Sequence, residues 1–212
     1  MKNYILILML FLFACSSNKQ LQYNTSNCNF NDKIFEEEKV LNFKIIRDRF
    51  KENGYYVYED NDSIHYSLDY GVDNEYWKRR QNKINEIEKI IAYDTITLKL
   101  KSLFFRYNKG NFYIGNKYIY NEKGEVIQTI DHNQYGKYPI CYKEIIKSTI
   151  KKAGSKFYFQ GLERDSILSN DQKTYSWKVY FEDSITKYPG LRHKFFRIDA
   201  KTGKTIVEEI VD

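Results

Sequence analysis

The sequence predicts an α+β fold, built from antiparallel sheets with a few helices. Three observations carry this. The chain of 212 residues contains 20 tyrosines and 14 phenylalanines, and aromatic side chains favour half-buried pleated surfaces. Much of it alternates apolar and polar residues in short runs broken by Gly, Asn and Asp. Helical spacing of apolar residues is confined to a few stretches. The aromatic excess has a second explanation, because Lys, Asn and Ile are also abundant and share AT-rich codons with tyrosine and phenylalanine.

The N-terminus reads as an export signal. Lys2 precedes an apolar run from Tyr4 to Ala14, too short for the roughly 20 residues that cross a bilayer. A basic start, a short apolar stretch and a small residue before the cut are the parts of a secretory signal. Leu12-Phe13-Ala14-Cys15 resembles the lipobox of bacterial lipoproteins, although Phe13 departs from the smaller residue usual there. The resemblance implies cleavage before Cys15 and a diacylglycerol on its sulfur. Acyl chains contribute about 0.8 kcal/mol per buried methylene, so two or three hold a protein on a membrane. The absence of aspartate after the cysteine (Ser16, Ser17) points to the outer membrane of a Gram-negative bacterium.

The signal occupies residues 1–14, and a polar, lipidated tether follows over 15–33. Hydrophobic residues make up 42% and charged residues 29% of the chain, as in folded domains rather than disordered ones. The net charge of +6 falls by one when Lys2 leaves with the signal. That weak balance suits an anionic lipid or glycan at most, and an exported protein has little access to nucleic acid.

A β-rich N-terminal domain with a leading helix is expected over 34–138. Glu36 to Asn53 reads as that helix: Val40, Phe43, Arg47 and Phe50 share a face, Glu36–Glu38 suit the positive end of the dipole, and Gly54 suits the stop. Tyr55–Tyr58 and Ile64–Leu68 flank the turn cluster Asp60-Asn61-Asp62 and predict a hairpin. Tyr76 to Glu88 is ambiguous between helix and loop, and its cations Lys78, Arg79, Arg80 and Lys83 read as a solvated face. From residue 93 to 130, Gly110, Gly115 and Gly124 punctuate aromatic strand-like runs, and positive φ is expected where the chain turns. This spacing resembles the MORN-variant hairpin repeats of some antitoxin-like proteins.

A second domain is expected over 139–212. Tyr142 to Ala153 reads as a helix with Ile145, Ile146 and Ile150 on one face and Lys143, Lys147 and Lys151 on another. Gly154 ends it. Strands are expected at 156–162, 175–181, 193–199 and 204–211. The helix Ile145–Gly154, the strand Trp177-Lys178-Val179-Tyr180-Phe181 and the hairpin Arg197-Ile198-Asp199-Ala200-Lys201-Thr202-Gly203-Lys204 resemble the PepSY domain family. The likeness spans about a third of the chain, with an insertion at Lys187–Arg192. It implies a helix-plus-sheet unit that inhibits or binds a peptidase or peptide.

No catalytic motif stands out, and neither an enzyme nor a cofactor or metal is expected. His65, His132 and His193 lack ligand spacing. Asp60-Asn61-Asp62-Ser63 lacks the glycine and glutamate of a calcium loop. With Cys15 committed to lipid, Cys28 and Cys141 either pair, contributing about 4–5 kcal/mol in the chain-entropy model, or remain thiols. Four Asp-(Ser/Thr)-Ile tripeptides, at Ser63, Thr95, Ser166 and Ser184, resemble an O-glycosylation signal of exported Gram-negative proteins; each also suits a plain turn before a strand. The expected function is binding without catalysis in the cell envelope, with toxin neutralisation by an immunity-type protein as the alternative.

Overall fold

The computed structural model describes residues 33–44, 46–110, 112–169, 172–183 and 193–211. The chain is mostly antiparallel sheet, arranged as two meanders. The first has seven strands in sequence order: β1 (Tyr55–Asp60), β2 (Ile64–Tyr70), β3 (Glu75–Asn82), β4 (Ile87–Asp94), β5 (Leu100–Tyr107), β6 (Phe112–Tyr120) and β7 (Val126–Asp131). The second has four, in the order β11-β10-β9-β8: β8 (Phe157–Ser169), β9 (Gln172–Asp183), β10 (His193–Asp199) and β11 (Thr205–Val211). Helix α1 (Arg47–Asn53) precedes the first sheet, and α2 (Tyr142–Ala153) stands between the two.

The leading helix is much shorter than its spacing predicts. Glu36–Glu38 forms one 3-10 turn, and α1 begins only at Arg47. Between them, Val40 bridges Lys99, Leu41 donates its backbone N–H to Leu98 (2.8 Å), and Leu100 donates to Lys39 (2.9 Å). Leu41 and Phe43 are buried while Asn42 and Lys44 are exposed, a period of two. Backbone pairing with the β4–β5 hairpin therefore overrides the helical pattern, which local propensity sets only weakly. Gly54 does end α1, at φ +70°, donating to Phe50 (2.7 Å).

The β1–β2 hairpin forms as expected. The first part of the ambiguous stretch after it, Tyr76–Asn82, is strand, because it pairs with β2 on one side and β4 on the other, and 83–86 turn into β4. Its amphipathic side chains hid the alternation. Gly124 turns at φ +79°, whereas Gly115 lies within β6 at φ +66°, where the register of β5 against β6 shifts. Gly115 is thus a bulge rather than a turn. Gly110 turns in a short 3-10 segment for a different reason. A Cβ there would stand 2.0 Å from the Leu162 carbonyl oxygen, and one at Gly161 would stand 2.7 Å from that of Lys109. Each glycine lets the first sheet's loop touch the backbone of β8.

Helix α2 runs over the expected residues, yet it buries Tyr142, Ile145, Thr149 and Ala153. Ile150 is exposed, so the helix is rotated from the isoleucine face. Thr149 satisfies its buried hydroxyl by donating to the Ile145 carbonyl (2.8 Å), which makes it admissible in the core. Strands β8 and β9 outrun their expected limits. Beyond Ser176, where β10 stops pairing with β9, they continue as a two-stranded arm whose exposed residues carry no hydrophobic alternation.

One core serves both sheets. Tyr107 of β5 meets Tyr142 of α2 (centroids 5.0 Å), and Phe112 of β6 meets Trp177 of β9 (5.9 Å). The same buried cluster runs from Leu41 to Ala200. Arg164 of β8 lies in this seam, its guanidinium carbon 4.9 Å from the Phe112 ring and 5.4 Å from Trp177. It donates through Nη1 to the His132 carbonyl (2.6 Å), and burial pulls its pKa down from the usual arginine value. The far face of the first sheet carries a smaller cluster of Trp77, Ile90, Ala92 and Phe104. Beside it, Glu88 bridges Arg79 (3.4 Å) and Arg106 (2.8 Å).

Candidate functional site

Two features are shaped for binding. The first is the edge formed by β11, where the four-stranded order leaves one side of the strand without a neighbour among the described strands. Ile206 and Ile210 are exposed there, at positions two strand periods apart and hence on one face. Glu208, between them, pairs with Lys194 (2.7 Å), and Lys152 of α2 donates to Thr205 (2.6 Å). Those contacts fix β11 against the body while no other described strand pairs with its outer backbone groups, the geometry to which an extended peptide adds as a strand.

The second is a cleft of ≈ 510 Å³ on the core-side face of the first sheet, within the range of ligand pockets. Strands β2 to β5 form its floor, the Glu36–Glu38 turn one wall, and the first turn of α2 another. Lys78, Arg80, Lys89 and Lys143 line it, opposed by one carboxylate, Glu38. The solvated cationic face expected from sequence is thereby divided. Strand alternation sends Lys78 and Arg80 into the cleft and Arg79 to the opposite face, where it pairs with Asp69 (2.7 Å) and lies over Trp77 (4.7 Å). Lys83 sits in the following turn and binds Asp60 (2.6 Å). The cleft was not legible in the sequence, because its walls come from segments separated by a hundred residues.

The residues singled out by sequence are not gathered into one site. Cys15, Cys28, Ser184 and the Lys187–Arg192 insertion lie outside the described residues. Cys141 is buried at the start of α2 and is disulfide-bonded. Ser63 is exposed in the β1–β2 turn, Thr95 half-buried in the β4–β5 turn, and Ser166 exposed within β8. His65 pairs with Asp60 (3.3 Å), and His132 stacks near Tyr113 (5.1 Å). Among the described residues no group of three His, Cys, Asp or Glu side chains could hold a metal ion. No helix among them is long and apolar enough to cross a membrane.

No family model matches the chain, and neither a curated protein nor a solved structure matches it.

Proposed function

We propose that this chain is a lipid-anchored protein of the cell envelope that binds a protein or an extended peptide and does not transform it. Lipid on Cys15 holds it to the outer membrane, and residues 15–33 tether the folded body. The C-terminal helix and four-stranded meander act as a PepSY-like unit that captures or inhibits a peptidase. The observation that supports this reading is the open edge of β11 with Ile206 and Ile210 exposed beside it. Main-chain pairing supplies affinity in such an addition, and pockets for alternate side chains supply specificity.

The test is capture of envelope proteins by the chain, repeated with the double variant Ile206→Lys, Ile210→Lys. A peptidase retained by the native protein and lost with the variant supports the proposal. Equal retention by both removes β11 from it, and hydrolysis of peptide by the protein itself removes the non-catalytic reading. The seven-strand meander of aromatic hairpins favours a second reading, an immunity-type protein that neutralises a toxin. Protection of cells from a toxin encoded beside it, unaffected by the β11 changes, would select that alternative.

A further inference from the structure

The cationic cleft belongs to neither proposed role, and its chemistry is specific. Its floor includes an apolar patch of Ile64, Ile87, Ile91 and Phe105. Ile64 and Ile87 are only half-buried, so they leave hydrocarbon facing the space. Its cations differ in how they are engaged. Lys89 is held, donating to the Lys33 carbonyl (2.9 Å) and lying 3.5 Å from Glu38. Lys78 has a cation–π contact with Tyr66 (5.5 Å) and no ion pair among the described residues. Arg80 is exposed and has neither an ion pair nor a side-chain hydrogen bond among the described residues. Lys78 and Arg80 are alternate residues of β3, so both side chains project from one face of the strand.

A guanidinium and an ammonium projecting side by side form a receptor for a compact oxyanion. The hydrocarbon beside them favours an anion that also carries an apolar group over one that offers charge alone, because covering Ile64 and Ile87 adds to the affinity only of an apolar partner. The position in the chain adds an independent argument. Lys33 and Phe35 stand at the rim, and Phe35 is 53% exposed. The first described residues of the chain therefore lie beside this cleft. The placement rests on the lipid anchor proposed at Cys15: the seventeen residues between Cys15 and Lys33 reach up to roughly 55–60 Å when extended, which lets the cleft lie against the membrane.

We propose that the cleft binds the phosphate-bearing headgroup of an anionic membrane lipid, one without a compensating cation, with Arg80 and Lys78 on the phosphate and the start of an alkyl chain on Ile64 and Ile87. The site orients the body on the membrane after the anchor has delivered it. It stands independently of the peptide-binding role of β11.

The test uses the unlipidated chain from Ser16, which retains every core residue, with dodecyl phosphate as probe in titration calorimetry. Inorganic phosphate and dodecyltrimethylammonium are the comparison probes. The expected result is binding of dodecyl phosphate alone, weakened about tenfold or more by Arg80→Gln with Lys78→Gln, the loss of two charge-assisted contacts. Sedimentation with phosphatidylglycerol vesicles, but not with phosphatidylcholine vesicles, should show the same dependence. Circular dichroism and a thermal melt establish that the exposed-face variant is folded. Equal binding of the cationic surfactant, an unchanged affinity in the folded variant, or inorganic phosphate binding as tightly as the alkyl ester would each overturn the proposal.

Discussion

Asp94 and Asp199 close the same turn in two different sheets. The Asp94 Oδ1 accepts the backbone N–H of Ile96 (3.0 Å) and Thr97 (2.7 Å) and the Thr97 hydroxyl (3.0 Å). The Asp199 Oδ1 accepts the N–H of Lys201 (3.1 Å) and Thr202 (2.7 Å) and the Thr202 hydroxyl (2.8 Å). Both sequences read Asp-x-x-Thr-x-Lys. The fifth residue takes positive φ in each, +58° at Leu98 and +68° at Gly203. The glycine is the unstrained solution, and Leu98 is held there because its side chain packs against the core.

Removing either aspartate should therefore have a similar effect. Asp94→Ala and Asp199→Ala are each expected to lower stability by about 1–2 kcal/mol, the range for lost capping oxygens. Asparagine, which keeps the acceptor, should recover most of it. Gly203→Ala should cost about 1–2 kcal/mol from left-handed backbone alone. Urea unfolding measures all three, and an unaffected Asp199→Ala would show that the turn forms without its aspartate.

The shared core is expected to make the two sheets unfold together. Trp77 lies in the first sheet and Trp177 in the second, so variants retaining one tryptophan report each sheet separately. Their urea midpoints should shift together when Gly161→Ala is introduced, by about 1–3 kcal/mol as at overpacked sites. Two separated transitions would show that the seam at Gly110, Phe112 and Arg164 is weak, and would favour independent folding of the fragment from Tyr138.

Stability should fall on mild acidification through His132. Burial, with Lys117 and Arg164 nearby, holds its pKa below the usual 6.5, and its Nε2 is buried without a hydrogen-bond partner among the described residues. The unfolded chain therefore takes up the proton first as pH falls below about 6.5. Stability contributed by the neutral ring is complete above that value and is lost as pH descends to the folded pKa. His132→Phe should reduce the difference in urea midpoint between pH 7.5 and 5.5. The same slope in both proteins would remove His132 as its source.

Mass analysis of the protein from its native host checks three covalent expectations at once. Lipidation predicts a mature chain beginning at Cys15 with added acyl mass, and Cys15→Ser should accumulate as precursor. Since Cys141 is disulfide-bonded, a non-reduced digest should link its peptide to that of Cys28. Glycan mass, where present, is expected on Ser63 and Ser166 before Thr95, because the first two are exposed and a bulky modification belongs at the surface. A mass equal to the lipidated polypeptide alone would leave the Asp-(Ser/Thr)-Ile tripeptides as structural elements only.

The sequence by itself determined the elements whose signals are local. Helix α2 follows from apolar spacing between Pro139 and Gly154, the β1–β2 hairpin from alternation about Asn61, and the β10–β11 turn from Asp199 and Gly203. Each is specified by residues within a few positions of one another. The tertiary structure decided what depends on partners far along the chain. It straightened 39–43 against the β4–β5 hairpin, turned Tyr142 and Thr149 of α2 inward, and made β3 a strand between two neighbours. It also assembled the cleft from Glu38, Arg80 and Lys143. Side chains on one strand alternate between faces, so Arg79 and Arg80 are adjacent in sequence and occupy opposite sides of a sheet. Only the packing of that sheet says which side becomes core and which becomes cleft.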